Sequence, residues 1–247
     1  MDYFPIFLRL ADEPVLVVGG GEVAARKIDL LLRTGAKVTV VAPALIDSLA
    51  TKAAAGTLTY LAEEFQPEHL SGMRLAIAAT DRHSVNAWVA HQAERRNVPV
   101  NVVDDRELSR FIVPAIVDRS PVVVAVASSG DAPVLTRRLR EKLEALLPQR
   151  LGVLAKFAGK LRATVKARIE APAARRRFWE NFFDGPIAAD VLAGRSDAES
   201  DEVQQRASQL LTKSGQRKSA AAAPGEVVLV GAAIWRSEER RVGKECR

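Results

Sequence analysis

The chain has 247 residues, 48% of them apolar, enough for one α/β domain and a smaller appendage. Its 36 Lys and Arg against 30 Asp and Glu leave a net charge of +6, which calls for an anionic partner, while aromatics at 5%, not interleaved with the basic residues, argue against a single-strand nucleic-acid platform. No apolar run reaches the roughly 18 residues of a membrane span, the opening Met1 to Phe7 lacks the order of a signal peptide, and one cysteine excludes an internal disulfide, so the composition reads as cytoplasmic, with no membrane and no nucleic-acid partner.

Met1 to Leu10 reads as an extended lead-in covering a sheet edge. Val15 to Val18 is a β-branched apolar run with the composition of a buried parallel strand, and Gly19, Gly20 and Gly21 follow it directly. Glu22 to Leu32 then has the spacing of an amphipathic helix, ending at Gly35. Gly19-x-Gly21-x-x-Ala24 is the fingerprint of a dinucleotide-binding turn. Glycines there permit positive φ and a close backbone approach to a pyrophosphate, a small residue lets the helix pack on the strand, and the helix N-terminus faces the phosphate charge. On its own the fingerprint is weak; between a strand and a helix it has the context it needs. Gly19, Gly21, Glu22 and Val23 are therefore candidate cofactor-binding residues.

Lys37–Val41 is the second strand. The ribose-binding acid expected about 20 residues past the glycines falls near Val41-Ala42-Pro43, where there is none, so ribose contacts are assigned to Pro43 and Ala44 and NAD against NADP stays open. A helix over 46–55, a strand over 57–61, an apolar strand over 75–79, a helix over 84–97 and a strand over 99–103 complete an alternation that predicts a Rossmann-type doubly wound parallel sheet. Ligands bind outside the carboxyl ends of such strands. Thr80 and Asn101 to Asp104 thereby join the glycine turn around one crevice, and Asp104 is its best-placed ionisable group.

From Phe111 the pattern changes. Phe111 to Val117 and Val122 to Ala127 are apolar β runs around the turn Asp118-Arg-Ser-Pro121, and Ser128 to Pro133 leads into a helix over 134–147 capped by Asp131 or a Ser. Such sticky strands after a completed α/β unit predict a dimerisation segment. Residues 151 to about 211 read as helical and basic, and Lys213 to Pro224 as a linker. His69, His83 and His91 have no metal-ligand spacing, so no protein metal site is expected.

Several segments together resemble the siroheme synthase family: Gly19-Gly-Gly-Glu-Val-Ala-x-Arg-Lys27, Leu75-Ala-Ile-Ala-Ala-Thr80, Asn101-Val-Val-Asp104, Phe111-Ile-Val-Pro114, Asp118-Arg-Ser-Pro121 and Arg140-Glu-Lys-Leu143. The likeness runs unbroken from Met1 to about Leu211 and is to the precorrin-2 dehydrogenase and sirohydrochlorin ferrochelatase module. It implies NAD-dependent oxidation of precorrin-2 to sirohydrochlorin, then insertion of Fe²⁺ to give siroheme, by a homodimer. Asp104 matches the family's catalytic aspartate, and Asn101 and Ser128 are assigned to the substrate. The expected organisation is an NAD-binding Rossmann domain over 1–113, a β-rich dimerisation segment over 114–147, a small helical domain over 148–212, a linker over 213–224, the truncated start of a methyltransferase domain over 225–232 and a non-native tail over 233–247. No methyltransferase activity is expected of this chain. Two other classes compete: an NAD-sensing Rossmann module without catalysis, which would bind the dinucleotide equally well without Asp104, and a basic nucleic-acid binder, whose affinity would fall steeply with salt.

Overall fold

The computed structural model describes residues 2–198 and 200–216. The readings placed on 225–232 and 233–247, and most of the 213–224 linker, lie outside the described residues. The chain divides between Gly152 and Val153 into two units.

In the first unit β1 (Pro14–Val18), β2 (Lys37–Val41), β3 (Thr59–Leu61), β4 (Leu75–Ala78) and β5 (Val100–Val102) form one parallel sheet in the order β3-β2-β1-β4-β5. Val15 is in register with Val38 on one side and Leu75 on the other. Val15 to Val18 and all four residues of β4 are buried. Burial on both faces is why these strands read as continuous apolar runs rather than alternating ones. On one face Val15 and Val17 pack with Ile28 of α1 (Glu22–Leu32) and Leu49 of α2 (Asp47–Ala54). On the other, Leu16 and Val18 pack with Val89 and Ala93 of α3 (His83–Arg95). The sheet is doubly wound, and its strand order reverses between β1 and β4.

The lead-in makes no ladder with the sheet. Asp2 is tied to Arg106 at 3.2 Å, beyond the carboxyl end of β5, while Phe7 to Arg9 border a cavity with Asn97 to Pro99 at its amino end. It thus runs past the edge strand, but Phe4, Ile6, Phe7 and Leu8 stand exposed and only Leu10 is buried.

β6 (Ala115–Arg119) and β7 (Val122–Val126) form a separate antiparallel pair joined through a cis Ser120–Pro121 peptide. The strand expected from Phe111 begins only after Pro114, a residue that has no N–H for a ladder. In α4 (Pro133–Leu146) the residue at the N-cap is Ala132, not Asp131 or a serine. Ser128 still serves the helix end, since its Oγ accepts the Ala132 N–H at 3.1 Å, and Asp131 pairs instead with Arg106 at 3.0 Å.

The second unit is helical: α5 (Leu151–Arg168), α6 (Pro172–Phe183), α7 (Pro186–Leu192) and α8 (Asp201–Gln216) enclose Phe178, Phe182, Val191 and Val203. α8 continues to Gln216, four residues into the stretch read as linker. Asp190 joins α7 to α8, accepting from Arg206 at 3.0 Å as well as from Arg195, and these hydrogen bonds hold its carboxyl below the usual carboxylate range.

Candidate active site

The crevice forms where the strand order reverses. Gly19 leaves β1 with φ +128°, a conformation that side-chain-bearing residues rarely adopt, and a Cβ there would overlap the Ala79 carbonyl. Its N–H donates to the Val41 carbonyl at 3.0 Å, while Ala79 N–H donates to the Val18 carbonyl at 2.8 Å. The glycine turn is thus clamped between the ends of β2 and β4.

Gly20, which the fingerprint leaves as a free position, is equally constrained. Its carbonyl accepts the Ile46 N–H at 2.9 Å, and a Cβ would overlap the Ala44 carbonyl oxygen. That contact brings the loop carrying Pro43 and Ala44 against the glycines. Gly21 is different: nothing lies within 4 Å of where its Cβ would be, and it is the N-cap of α1, with no side chain bonding the helix end. Glu22 and Val23 open that helix. Open space in front of uncapped backbone N–H groups fits a dinucleotide pyrophosphate. At the end of β2 the expected carboxylate is absent; Tyr60 Oη donates to the Ala42 carbonyl at 3.0 Å and fixes the loop from below.

Thr80 is held by a residue the sequence reading missed, Asn86 of α3. Asn86 Nδ2 donates to the Thr80 carbonyl at 2.9 Å, and its Oδ1 accepts from the Thr80 hydroxyl at 2.7 Å and the Thr80 N–H at 3.2 Å. Asn86 is buried, and a polar residue on the inner face of an amphipathic helix is the signal that could have found it.

Asp104 lies just past β5, exposed, with φ +59°. It occupies the third position of a turn closed by the Asp105 N–H onto the Val102 carbonyl at 3.2 Å. Non-glycine residues seldom take this conformation, aspartate more readily than most. Facing it electrostatically is Lys27 of α1, one turn beyond Val23. Burial pulls the Lys27 ammonium below its ordinary pKa, and the Asp104 charge opposes that shift.

The substrate-assigned residues are nearby but occupied. Asn101 is buried, and its Nδ2 donates to the Phe111 carbonyl at 2.9 Å. Ser128 Oγ accepts from Thr136 Oγ1 at 2.9 Å as well as from the α4 N-terminus. Arg106, two residues after Asp104, reaches Asp131, so the Ser128 loop is moored beside the Asp104 loop. Among the described residues no cluster of His, Cys, Asp and Glu has the arrangement of a metal centre, and no helix is long and apolar enough to cross a membrane.

Fold and crevice together define an NAD(P)-binding Rossmann-type domain followed by a helical unit. Residues 6–115 match the family described as putative NAD(P)-binding, and residues 150–211 match the sirohaem synthase dimerisation region. Siroheme synthase 1 of Pectobacterium atrosepticum is 53% identical over 232 residues, covering 94% of this chain and 48% of that protein. Siroheme synthase of Methylobacillus flagellatus is 49% identical over 231 residues, with the same coverage. A solved structure titled SirC, precorrin-2 dehydrogenase, superposes with a TM-score of 0.64 at 24% identity, over 85% of this chain and all of that one, a likeness of fold. Over nearly its whole length the chain is similar to these siroheme synthases, and it spans about half the length of the curated relatives it matches. The stretch matching the dimerisation region, 150–211, lies over the helical domain expected at 148–212 and beyond the 114–147 segment to which the sequence reading assigned dimerisation.

Proposed function

We propose that this chain oxidises precorrin-2 to sirohydrochlorin with NAD⁺ and inserts Fe²⁺ into the product to give siroheme, acting as a cytoplasmic homodimer. The observation that carries this reading is Asp104, an exposed carboxylate on a positive-φ turn at the carboxyl end of β5, beside the crevice that the glycine turn opens. NAD⁺, when bound, supplies the hydride acceptor. Backbone N–H groups at Gly21 to Val23 would hold its pyrophosphate, and the backbone of Pro43 and Ala44 and the latched Thr80 would line the remainder of its site. NAD is taken as the dinucleotide, and residues 42–50, which follow β2, carry no basic side chain for a 2′-phosphate.

Oxidation removes a hydride and a proton from the tetrapyrrole, so a base within reach of the substrate would be needed beside the hydride acceptor. Asp104 is assigned that proton. Replacing two pyrrole protons with Fe²⁺ needs a proton acceptor facing the macrocycle, and the same carboxylate is assigned to take them one at a time, passing each to solvent. Iron enters as a substrate held by the tetrapyrrole nitrogens. Asn101 and Ser128 are assigned to the substrate's side of the crevice. Asn101 holds the wall through the Phe111 carbonyl, and the Ser128 loop is moored by Arg106. A polycarboxylate substrate also suits the net charge of +6.

The homodimer is supported by α4, which buries none of its residues and exposes Leu135, Leu139 and Leu146 on one stripe. Contiguous exposed apolar surface of this kind is normally covered by a partner.

The test is absorbance spectroscopy with precorrin-2 and NAD⁺, comparing the wild type with Asp104→Ala. The expected outcome is NAD⁺-dependent formation of sirohydrochlorin that the substitution lowers by about two to four orders of magnitude. Activity surviving the substitution moves the base elsewhere. Dinucleotide binding without turnover by the wild type leaves the sensing module as the better reading.

A further inference from the structure

Ser109 is polar, partly buried and outside the residues so far assigned to substrate or cofactor. Its Oγ accepts the Val102 N–H at 2.9 Å and donates to the Asp105 carbonyl at 2.6 Å, with the Val102 carbonyl at 3.1 Å. Val102 and Asp105 are the first and last residues of the turn that carries Asp104, and they meet in a β-bridge. One hydroxyl thus bolts both ends of the turn together. The Asn101 amide sits 3.5 Å from the same oxygen, and Asp105 Oδ1 accepts the Leu108 N–H at 3.0 Å, which folds the following segment back so that Ser109 can reach.

The turn has reason to need such a bolt. Asp104 is held at φ +59°, where an L-residue is less stable than in extended or helical backbone, so without a constraint the turn relaxes and the carboxylate swings away. The Val103 N–H donates to the Ala78 carbonyl at 2.9 Å and anchors the entry to β4, but among the described residues no hydrogen bond is made by the Asp104 side chain itself. Its position is therefore inherited from the backbone.

We propose that Ser109 is the positioning residue of the proton acceptor: its hydroxyl fixes the strained turn from Val102 to Asp105 and so aims Asp104 at the substrate. The proposal rests on the assignment of Asp104 as the base. A misplacement of about 1 Å in such a group lowers turnover by up to about a hundredfold.

The experiment uses the full chain and two readouts. Amide hydrogen exchange, measured without cofactor or substrate, follows Val102 and Asp105 in the wild type and in Ser109→Ala; exchange at both is expected to quicken about tenfold or more, while β1 amides keep their protection. Steady-state oxidation of precorrin-2 then compares wild type, Ser109→Ala and Ser109→Thr. Ser109→Ala is expected to lose about ten- to a hundredfold in kcat with KM for NAD⁺ changed less than about twofold, and Ser109→Thr, which keeps the hydroxyl, to recover most of that loss. Unchanged exchange in the turn, a kcat for Ser109→Ala within about twofold of wild type, or no rescue by threonine overturns the inference. Should Ser109→Ala not fold, Ser109→Cys keeps the volume with a poor donor and is read in the same way. An inactive wild type instead sinks the dehydrogenase reading, and it does so before any substitution is made.

Discussion

The two β-structures of the first unit differ in what they leave uncovered. In the five-stranded sheet β4 is buried along its whole length and α1 buries Ala24, Ala25, Ile28 and Leu31. In the β6–β7 pair every residue of β7 is at least partly accessible, Val123 openly so, and α4 buries nothing. Both regions are apolar in sequence. The lesson is that apolar periodicity specifies a face to be covered, not what covers it: the parallel sheet closes on its own helices, whereas α4 presents a leucine stripe that stands exposed among the described residues.

The sharpest break in that comparison is expected at Gly20, where the self-contained region tolerates no added atom. Gly20→Ala sets a methyl group on the Ala44 carbonyl, at a cost of about 1–3 kcal/mol. Because the displaced loop also lines the cofactor crevice, NAD⁺ affinity should fall about tenfold for each 1.4 kcal/mol lost there, as a calorimetric titration would measure. Affinity equal to wild type would mean the loop moves without affecting the site.

Leu139→Glu probes the open region. Leu139 is 39% exposed, so association has only that remainder to bury, about 0.6–1.2 kcal/mol per copy and about 1–2.5 kcal/mol over both copies of a two-fold interface. Sedimentation velocity should show the dimer weakened by about tenfold while the thermal unfolding of the parallel-sheet region stays near wild type. A stable dimer would move the interface away from α4.

The smallest effect is expected at Lys27, inside the closed region but bordering its crevice. Burial lowers its pKa, so the folded state binds its proton less well than the unfolded chain does. Stability then rises with pH from the lowered folded value up to the ordinary lysine range. Lys27→Met should remove that rise and leave the protein slightly more stable at neutral pH, read as a small upward shift in Tm at pH 7 that vanishes near pH 10. A lower Tm at pH 7 would mean that attraction to Asp104 outweighs burial.

Much of the fold was legible because its signals are local. Val15 to Val18, Gly19 to Gly21 and the α1 spacing predict the strand, turn and helix within one residue of where they lie. Errors gather where a specific contact, rather than the hydrophobic period, decides. Phe111 looks like strand, but its carbonyl is taken by the Asn101 amide and Pro114 delays the ladder. The lead-in is read as covering a sheet edge and it runs past β5, but that reading says nothing of Phe4, Ile6, Phe7 and Leu8, which stand in solvent. Of the crevice, the residues whose type announces their use, the glycines and Asp104, could be picked out from spacing. Gly20, Asn86 and Ser109 could not, because their importance lies in what they touch: a carbonyl 24 residues away for Gly20, the ends of two strands for the others.

By itself the sequence determined the α/β alternation, the dinucleotide turn and the candidate base, since hydrophobic period and glycine placement act through the chain's own backbone over a few residues. Only the tertiary structure decided the positive φ of the Asp104 turn, which polar side chains latch the loops around it, and the exposure of the α4 leucines among the described residues. The first two depend on side chains folding back onto the loops at the ends of β4 and β5, Asn86 onto Thr80 and Ser109 onto Val102 and Asp105, contacts that neither hydrophobic period nor glycine placement encodes.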